Sequence, residues 1–410
     1  MATIRPFQAI RPRKDLVSKI AALPYDVYNR KEAKQEVERE PLSFLAIDRA
    51  ETLFEDCVDT YAPCVYEKAK ERFDQMRAEG SFIKEQEAVY YLYELVMEGR
   101  SQTGIVACAS IDDYLNNRIK KHENTRAEKE EDRIRHVSTL EAQTGPIFLA
   151  YPAKAAIDAV VEKNRRKEPE YAFTSPDGVT HRVWIMSEGG DILTLQTEFE
   201  GIDSIYIADG HHRAASAIKV GEQKRREHPD NTGEEPYHYF LSVLFPHDQL
   251  MILDYNRVVA DLNGWGEPEF LEELKTSFAI EEVEGAYHPA KKGEIGMYLS
   301  KQWYKLTAKP VVLSEDPVEG LDVSLLQHQV LDPILGIKDP RCDKRIDFVG
   351  GIRGLEELER RCQEDMTVAF SMYPTSIEEL FAVADANRLM PPKSTWFEPK
   401  LRSGIFIHEI

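Results

Sequence analysis

The sequence predicts an α+β protein, and three features carry that reading. Two runs rich in aromatic and β-branched residues, AVYYLYELVM (88–97) and TGIVACASI (103–111), flank a short polar connection, as in a β-hairpin. Residues 54–79 set Val65, Ala69, Phe73 and Met76 at helical intervals, which makes one apolar face. IYIADGHHRAASAI (205–218) passes from a short apolar strand through Asp209-Gly210 directly into a helix-forming stretch.

The other elements follow in chain order. Residues 1–30 hold short apolar pieces between prolines and close with ALPYDV (22–27), where Pro24 favours an extended or turn geometry. Thr125 and Glu128 fit a capping box, which predicts a helix over 126–143 that stops at Gly145. PIFLAY (146–151) reads as a buried strand, 163–181 as a loop or helix end, and RVWIM and ILTLQ as strands. FLSVLF (240–245) and MILDYNRVV (251–259) read as a strand pair, and NGWGEPE (263–269) as a break before a helix. Helices and short strands then alternate to the end, where GIFIHEI is a candidate final strand. The main composition break falls near 262, which divides the chain into 1–262 and 263–410.

Composition narrows the function. A length of 410 residues suits two domains, and 42% hydrophobic with 30% charged residues suits a soluble globular protein. A net charge of −20 opposes a general nucleic-acid or anionic-membrane surface, because neutralising phosphates requires clustered Lys and Arg. A local basic pocket for one small anion stays open. There is no signal-peptide pattern and no long apolar run, so neither secretion nor a membrane span is expected. The five cysteines form no C-x-x-C pair, which points to reduced thiols and a cytoplasmic location.

Three segments are candidates for chemistry. At Asp209-Gly210 the first turn of the helix offers unpaired N–H groups and a dipole that favours an anion. Arg213 can clamp phosphate oxygens, His211 and His212 can each donate a hydrogen bond, and Asp209 is an N-cap or a magnesium ligand. The plain alternative is an ordinary Asp-Gly turn with a solvated first helical turn. Zinc is disfavoured, because adjacent helical residues point about 100° apart and no third ligand stands at helical spacing. HENT (122–125) fails the H-E-x-x-H pattern at Arg126 and leaves His122 and Glu123 before a helix, with Glu123 a candidate general base. Asp132-Arg133 reads as an ion pair on a helix face. PPKSTWFEPK (391–400) offers Lys393, Ser394, Thr395 and Lys400 to a phosphate but lacks the glycines of a Walker loop. FVGGIRG (348–354) reads as a turn.

Taken together, RPFQAIRP (5–12), PYDV (24–27), HENT, ADGHHR (208–213) and PPKSTWFEPK resemble a widespread prokaryotic family of conserved domains of unknown function. That family resembles the ParB/sulfiredoxin-like fold, which includes free L-serine kinases. The resemblance implies a mixed-sheet nucleotide-binding core with large insertions over 1–262, and a second α/β lobe over 263–410 that contributes the PPKST loop. It also implies that Gly210, His211, His212 and Arg213 match a G-x-H-R phosphate box. Sulfiredoxins carry a cysteine where His211 stands, and ParB proteins carry a basic helix-turn-helix that is not evident here.

The implied activity is phosphoryl transfer from ATP or ADP, with Mg2+, to a small hydroxyl compound, free serine first. Glu123 would be the base, His122 its orienting neighbour or a phosphate contact, and Lys393 a charge neutraliser, with Ser394 and Thr395 at the phosphates and Asp209 at the metal. The alternatives are a nucleotide-binding regulatory switch and a phosphohydrolase. Expected partners are the nucleotide and the hydroxyl substrate, without nucleic acid or membrane; a homodimer stays open.

Overall fold

A computed structural model describes residues 2–410. The chain forms two compact units, one of Met1–Leu250 with Pro399–Ile410, the other of Met251–Glu398. The expected break near 262 therefore lies inside the second unit, and the end of the chain returns to the first.

The first unit is built on a nine-stranded mixed sheet. Its strands are β1 (Ile4–Arg5), β2 (Tyr90–Met97), β3 (Arg100–Ser110), β4 (Ile119–Lys120), β5 (Ile147–Tyr151), β6 (Tyr171–Thr174), β7 (Thr180–Met186), β8 (Ile205–Asp209) and β9 (Tyr239–Pro246). Their order is β4-β8-β5-β9-β3-β2-β7-β6, with β1 paired to β3. The pairs β4·β8 and β5·β9 are parallel and the others antiparallel. The predicted hairpin is β2–β3, and it is tighter than its polar connection suggests. Met97 faces Arg100 across a two-residue turn, with Glu98 and Gly99 left-handed at φ 51° and 79°. Such a turn matches the twist of the flanking strands.

The helices of this unit are α1 (Pro63–Ala78), α2 (Ala127–Leu140), α3 (Ala155–Arg165), α4 (Gly189–Glu200) and α5 (His211–Glu227). The periodic residues Val65, Ala69, Phe73 and Met76 are all buried on α1, which starts at Pro63 rather than 54, because proline suits the first helical turn. The capping box expected at Thr125 and Glu128 does not form: Arg126 is the N-cap, and the Thr125 hydroxyl donates to Glu130 instead. Glu130 wins that contact because it is buried and anchored by Lys219 of α5.

ILTLQ, expected as a strand, lies in α4. Leu195 and Phe199 reach the core four residues apart, whereas Leu193 is 65% exposed. Five residues of I-L-T-L-Q satisfy either period, and the buried Phe199 beyond them selects the helix. FLSVLF and MILDYNRVV do not pair with each other. The former is the body of β9 between β3 and β5, and the latter divides at Asp254 and enters the second unit. From GIFIHEI, only His408–Glu409 is a strand, against Ala142–Gln143, while Ile405, Phe406 and Ile407 are buried.

One core cluster joins the sheet to α3, α4 and α5 through Leu92, Leu149, Val160, Phe199 and Ala214. A second gathers α1 around the edge-on rings of Phe44, Phe73 and Phe82.

The second unit is a six-stranded antiparallel sheet of β10 (Tyr255–Val259), β11 (Phe278–Val283), β12 (Glu294–Leu299), β13 (Gln302–Ala308), β14 (Ile346–Gly350) and β15 (Val368–Met372), in the order β11-β13-β12-β15-β10-β14. Met251–Leu253 pairs separately with Trp396–Glu398. Among the described residues no helix is long and apolar enough to cross a membrane.

Gly221 within α5 tests how closely that helix is seated. A Cβ there would run into the Tyr237 carbonyl oxygen and lie 2.9 Å from Ile111 Cδ1. On an open helix Gly→Ala stabilises by about 1 kcal/mol. Here Gly221→Ala should instead destabilise by roughly 1–3 kcal/mol, measured by urea unfolding.

Candidate functional site

The site grows from the end of β8. Ile207 faces Leu149 and Asp209 faces Phe148, so the register shifts between them and Asp209 is turned by a bulge. Gly210 follows with φ 91°, a left-handed residue that caps α5 without a side chain. Arg213, one turn on, folds back over it: a Cβ on Gly210 would lie 3.0 Å from Arg213 Nη2. The guanidinium donates from Nη1 to the Pro146 carbonyl at 2.6 Å and from Nη2 to Asp209 Oδ2 at 3.3 Å. Lys400 Nζ stands 3.9 Å from the same oxygen. Burial alone would raise the Asp209 carboxyl; the charges of Lys400 and Arg213 outweigh it and hold the group below its usual range.

The three nitrogen-bearing side chains diverge, as successive residues on a helix must. His211 is buried against His122, the rings edge-on with centroids 4.5 Å apart, and the His122 backbone N–H donates to His211 Nε2 at 3.5 Å. Burial lowers the His122 imidazole to about 4 and His211 well below 6.5, so both are neutral near pH 7. His122 Nδ1 and His212 Nδ1 are buried without a hydrogen-bond partner. His212 is half-buried; burial lowers its pKa, and the charges it feels are those of Asp26, Arg126, Glu130 and Lys129.

A cleft of about 340 Å³ lies on the first unit, lined by Tyr25, Asp26, Tyr28, Arg49, Tyr61, Tyr66 and Lys129 among others. A smaller cavity holds Gly145, Arg213, Ser216 and Ser403, and the two share Tyr25, Asp48, Arg133 and His136. These four residues connect the junction to the cleft. Asp132 and Arg133 do form an ion pair at 2.9 Å, but it is buried and lines the cleft rather than riding on a solvated face. Arg133 also covers the Tyr25 ring at 4.1 Å, and the Tyr66 hydroxyl donates to Asp132 at 2.9 Å. Asp48 accepts from the Thr144 hydroxyl at 3.0 Å beside a His136 that burial lowers to about 4. Arg49 pairs with Glu51 at 2.6 Å and holds the Tyr25 and Tyr28 carbonyls. Asp26 is exposed at the rim and makes no hydrogen bond or ion pair among the described residues.

The structure thus joins Asp209, Gly210 and Arg213 to a cleft and adds Lys400, which closes the PPKSTWFEPK motif and belongs to the first unit. Glu123 is exposed on the coil before α2 and lines neither cavity. Lys393, Ser394 and Thr395 belong to the second unit. There the Ser394 hydroxyl donates to the Pro391 carbonyl at 2.6 Å, and Lys393 Nζ lies 5.5 Å from the Tyr255 ring centre. Among the described residues no cluster of three or more His, Cys, Asp or Glu could hold a metal. Asp209 offers a single carboxylate that already faces two cations. Missed at the sequence level were Asp48, Arg49 and His136, which carry no local pattern; Arg133 was visible as an ion-pair partner and PYDV as a motif, each without a role in a site.

Residues 4–324 match the family described as "Protein of unknown function (DUF1015)". The chain belongs to this family. No curated protein matches the DUF1015 chain. Among solved structures it is similar to a free serine kinase in complex with AMP (15% identity, TM-score 0.34), over 74% of this chain and 91% of that one. A conserved hypothetical protein from Pyrococcus furiosus is similar at 16% identity and TM-score 0.34, over 74% and 95%. SbnI with a C-terminal truncation, from Staphylococcus aureus, is similar at 12% identity and TM-score 0.39, over 74% and 87%.

The neutral buried histidines predict an acid-sensitive fold. The folded pKa of His122, about 4, lies below the unfolded value, so the unfolded chain takes up the proton first as pH falls. The contribution is full above about pH 6.5 and is lost progressively down to about pH 4, on the order of 3 kcal/mol from this residue. Urea unfolding at pH 7 and pH 4.5 should show a smaller acid loss in His122→Asn than in the parent.

Proposed function

We propose that this DUF1015 protein transfers a phosphoryl group from ATP or ADP to a small hydroxyl compound, with free L-serine the leading acceptor. The observation that carries the proposal is the convergence of Arg213, Lys400 and the first turn of α5 on Asp209, beside a tyrosine-lined cleft. A phosphate arriving there takes over the two cations and the helix N–H groups. The cleft's volume, about 340 Å³, is within the range of small-molecule sites, and the partly exposed Tyr28 and Tyr61 offer rings to a base. Mg2+ entering with the nucleotide needs few protein ligands, and Asp209 is the carboxylate at the junction.

The acceptor hydroxyl must lose a proton as its oxygen bonds to phosphorus and the donor's bridging P–O bond breaks. Asp26 is our first choice for the base. The other cleft acids, Asp48, Glu51 and Asp132, are already held by hydrogen bonds or ion pairs, whereas Asp26 stands open at the rim near His212. Glu123, outside the cleft lining, is the alternative base. The dense internal pairing of the cleft charges favours a second reading, a nucleotide-binding switch without turnover.

The test is to incubate the protein with ATP or ADP, Mg2+ and a panel of hydroxyl amino acids, and follow products by phosphorus NMR. Phosphoamino acid supports the kinase, free phosphate alone a phosphohydrolase, and binding without either the switch. Arg213→Ala should weaken nucleotide binding about tenfold or more, as loss of a charged hydrogen bond does. Asp26→Asn should keep binding and lower turnover by about 100-fold or more. If Glu123→Gln has that effect and Asp26→Asn does not, the base is Glu123.

A further inference from the structure

The second unit contains a buried cation that no acid among the described residues answers. Arg257 lies on β10, between β15 and β14, and is 3% exposed. Its Nη1 donates to the Tyr255 carbonyl, its Nη2 to the Lys393 carbonyl at 3.0 Å, and the Phe348 ring lies 5.4 Å from its Cζ. No carboxylate among the described residues is within ion-pair distance of it. Burial lowers its pKa to about 10, the direction expected of a desolvated cation lacking a counter-charge. Carbonyls occupy only part of a guanidinium's five N–H donors.

A cavity of about 400 Å³ opens on this arginine, with Val323, Leu331, Phe348 and Met390 as apolar wall. Its acids are already paired: Glu319 with Arg388 at 3.7 Å and Asp339 with Arg341 at 2.8 Å. Lys338, also on the wall, has no ion pair among the described residues. Arg257 and Lys338 therefore leave a local positive excess on a chain of net charge −20, which concentrates anions at this spot. Part of the wall is a π-helical turn, Gln327–Leu331, directly after the helix Asp322–Leu326; such turns recur at functional sites. Pro391 and Pro392 line the same cavity, and Arg257 holds the next carbonyl, that of Lys393, whose φ is 60°.

We propose that this cavity binds a small organic anion, its carboxylate or phosphate on Arg257 and its apolar body against Leu331, Phe348 and Met390, with the PPKST loop as one border of the site. This gives the loop a function inside its own unit, separate from the junction at Asp209.

The test titrates the full chain with butyrate and, separately, with inorganic phosphate by calorimetry at constant ionic strength. Parent, Arg257→Met, Lys338→Glu and Arg213→Ala are compared, the last removing phosphate bound at the first unit. One saturable equivalent is expected that Arg213→Ala leaves intact, that Arg257→Met weakens at least tenfold and that Lys338→Glu weakens several-fold. Preference for butyrate assigns a carboxylate ligand, and preference for phosphate a phosphate ester. Absence of saturable binding by either anion overturns the proposal, as does affinity unchanged in Lys338→Glu. That exposed substitution decides the matter alone if Arg257→Met does not fold.

Discussion

Arg213 folded over Gly210 is the contact on which the first unit's site depends. One guanidinium fastens the end of β8, through Asp209, to the entry of β5, through the Pro146 carbonyl. It can do so only because residue 210 lacks a side chain and adopts a left-handed backbone. The start of α5 is thereby held beside a carboxylate and two cations. A Cβ at 210 would press on the guanidinium at 3.0–3.1 Å, and the left-handed backbone would strain any residue that carried one.

The same packing decides what the two histidines are. Placing His211 under the sheet end against His122 removes both rings from water, and desolvation keeps them neutral. Neutral rings add no charge to the junction, so its positive field comes from Arg213 and Lys400. In the adjoining cleft, by contrast, buried charges are kept and answered within the wall: Arg133 by Asp132, Arg49 by Glu51. A wall of matched pairs is stiff, because moving either partner strands the other in a poor dielectric. The second unit follows a different pattern, leaving Arg257 to backbone carbonyls.

Local pattern was a good guide where an element's own residues decide its form. The β2–β3 hairpin, the apolar face of α1, the buried β5 and the strand-to-helix passage at Gly210 were all legible, since each depends on spacing or on a residue's intrinsic backbone range. ILTLQ was misread because a five-residue window fits two periods. The Thr125–Glu128 box was misread because Lys219, distant in sequence, anchors Glu130 in its place. Asp132-Arg133 was correctly paired and wrongly exposed, since pairing is local and burial is not.

The sequence by itself determined that a glycine-hinged strand-to-helix turn with a nearby arginine exists, because backbone sterics and helix geometry act over a few residues. Tertiary structure alone decided which residues meet there. Lys400 comes from the end of the chain to Asp209; Tyr25 and Asp48 come from separate segments to meet Arg133 and His136 of α2; and Arg257 is enclosed without an acid among the described residues. Burial and long-range proximity arise only when the sheets close, and no short window of sequence encodes them.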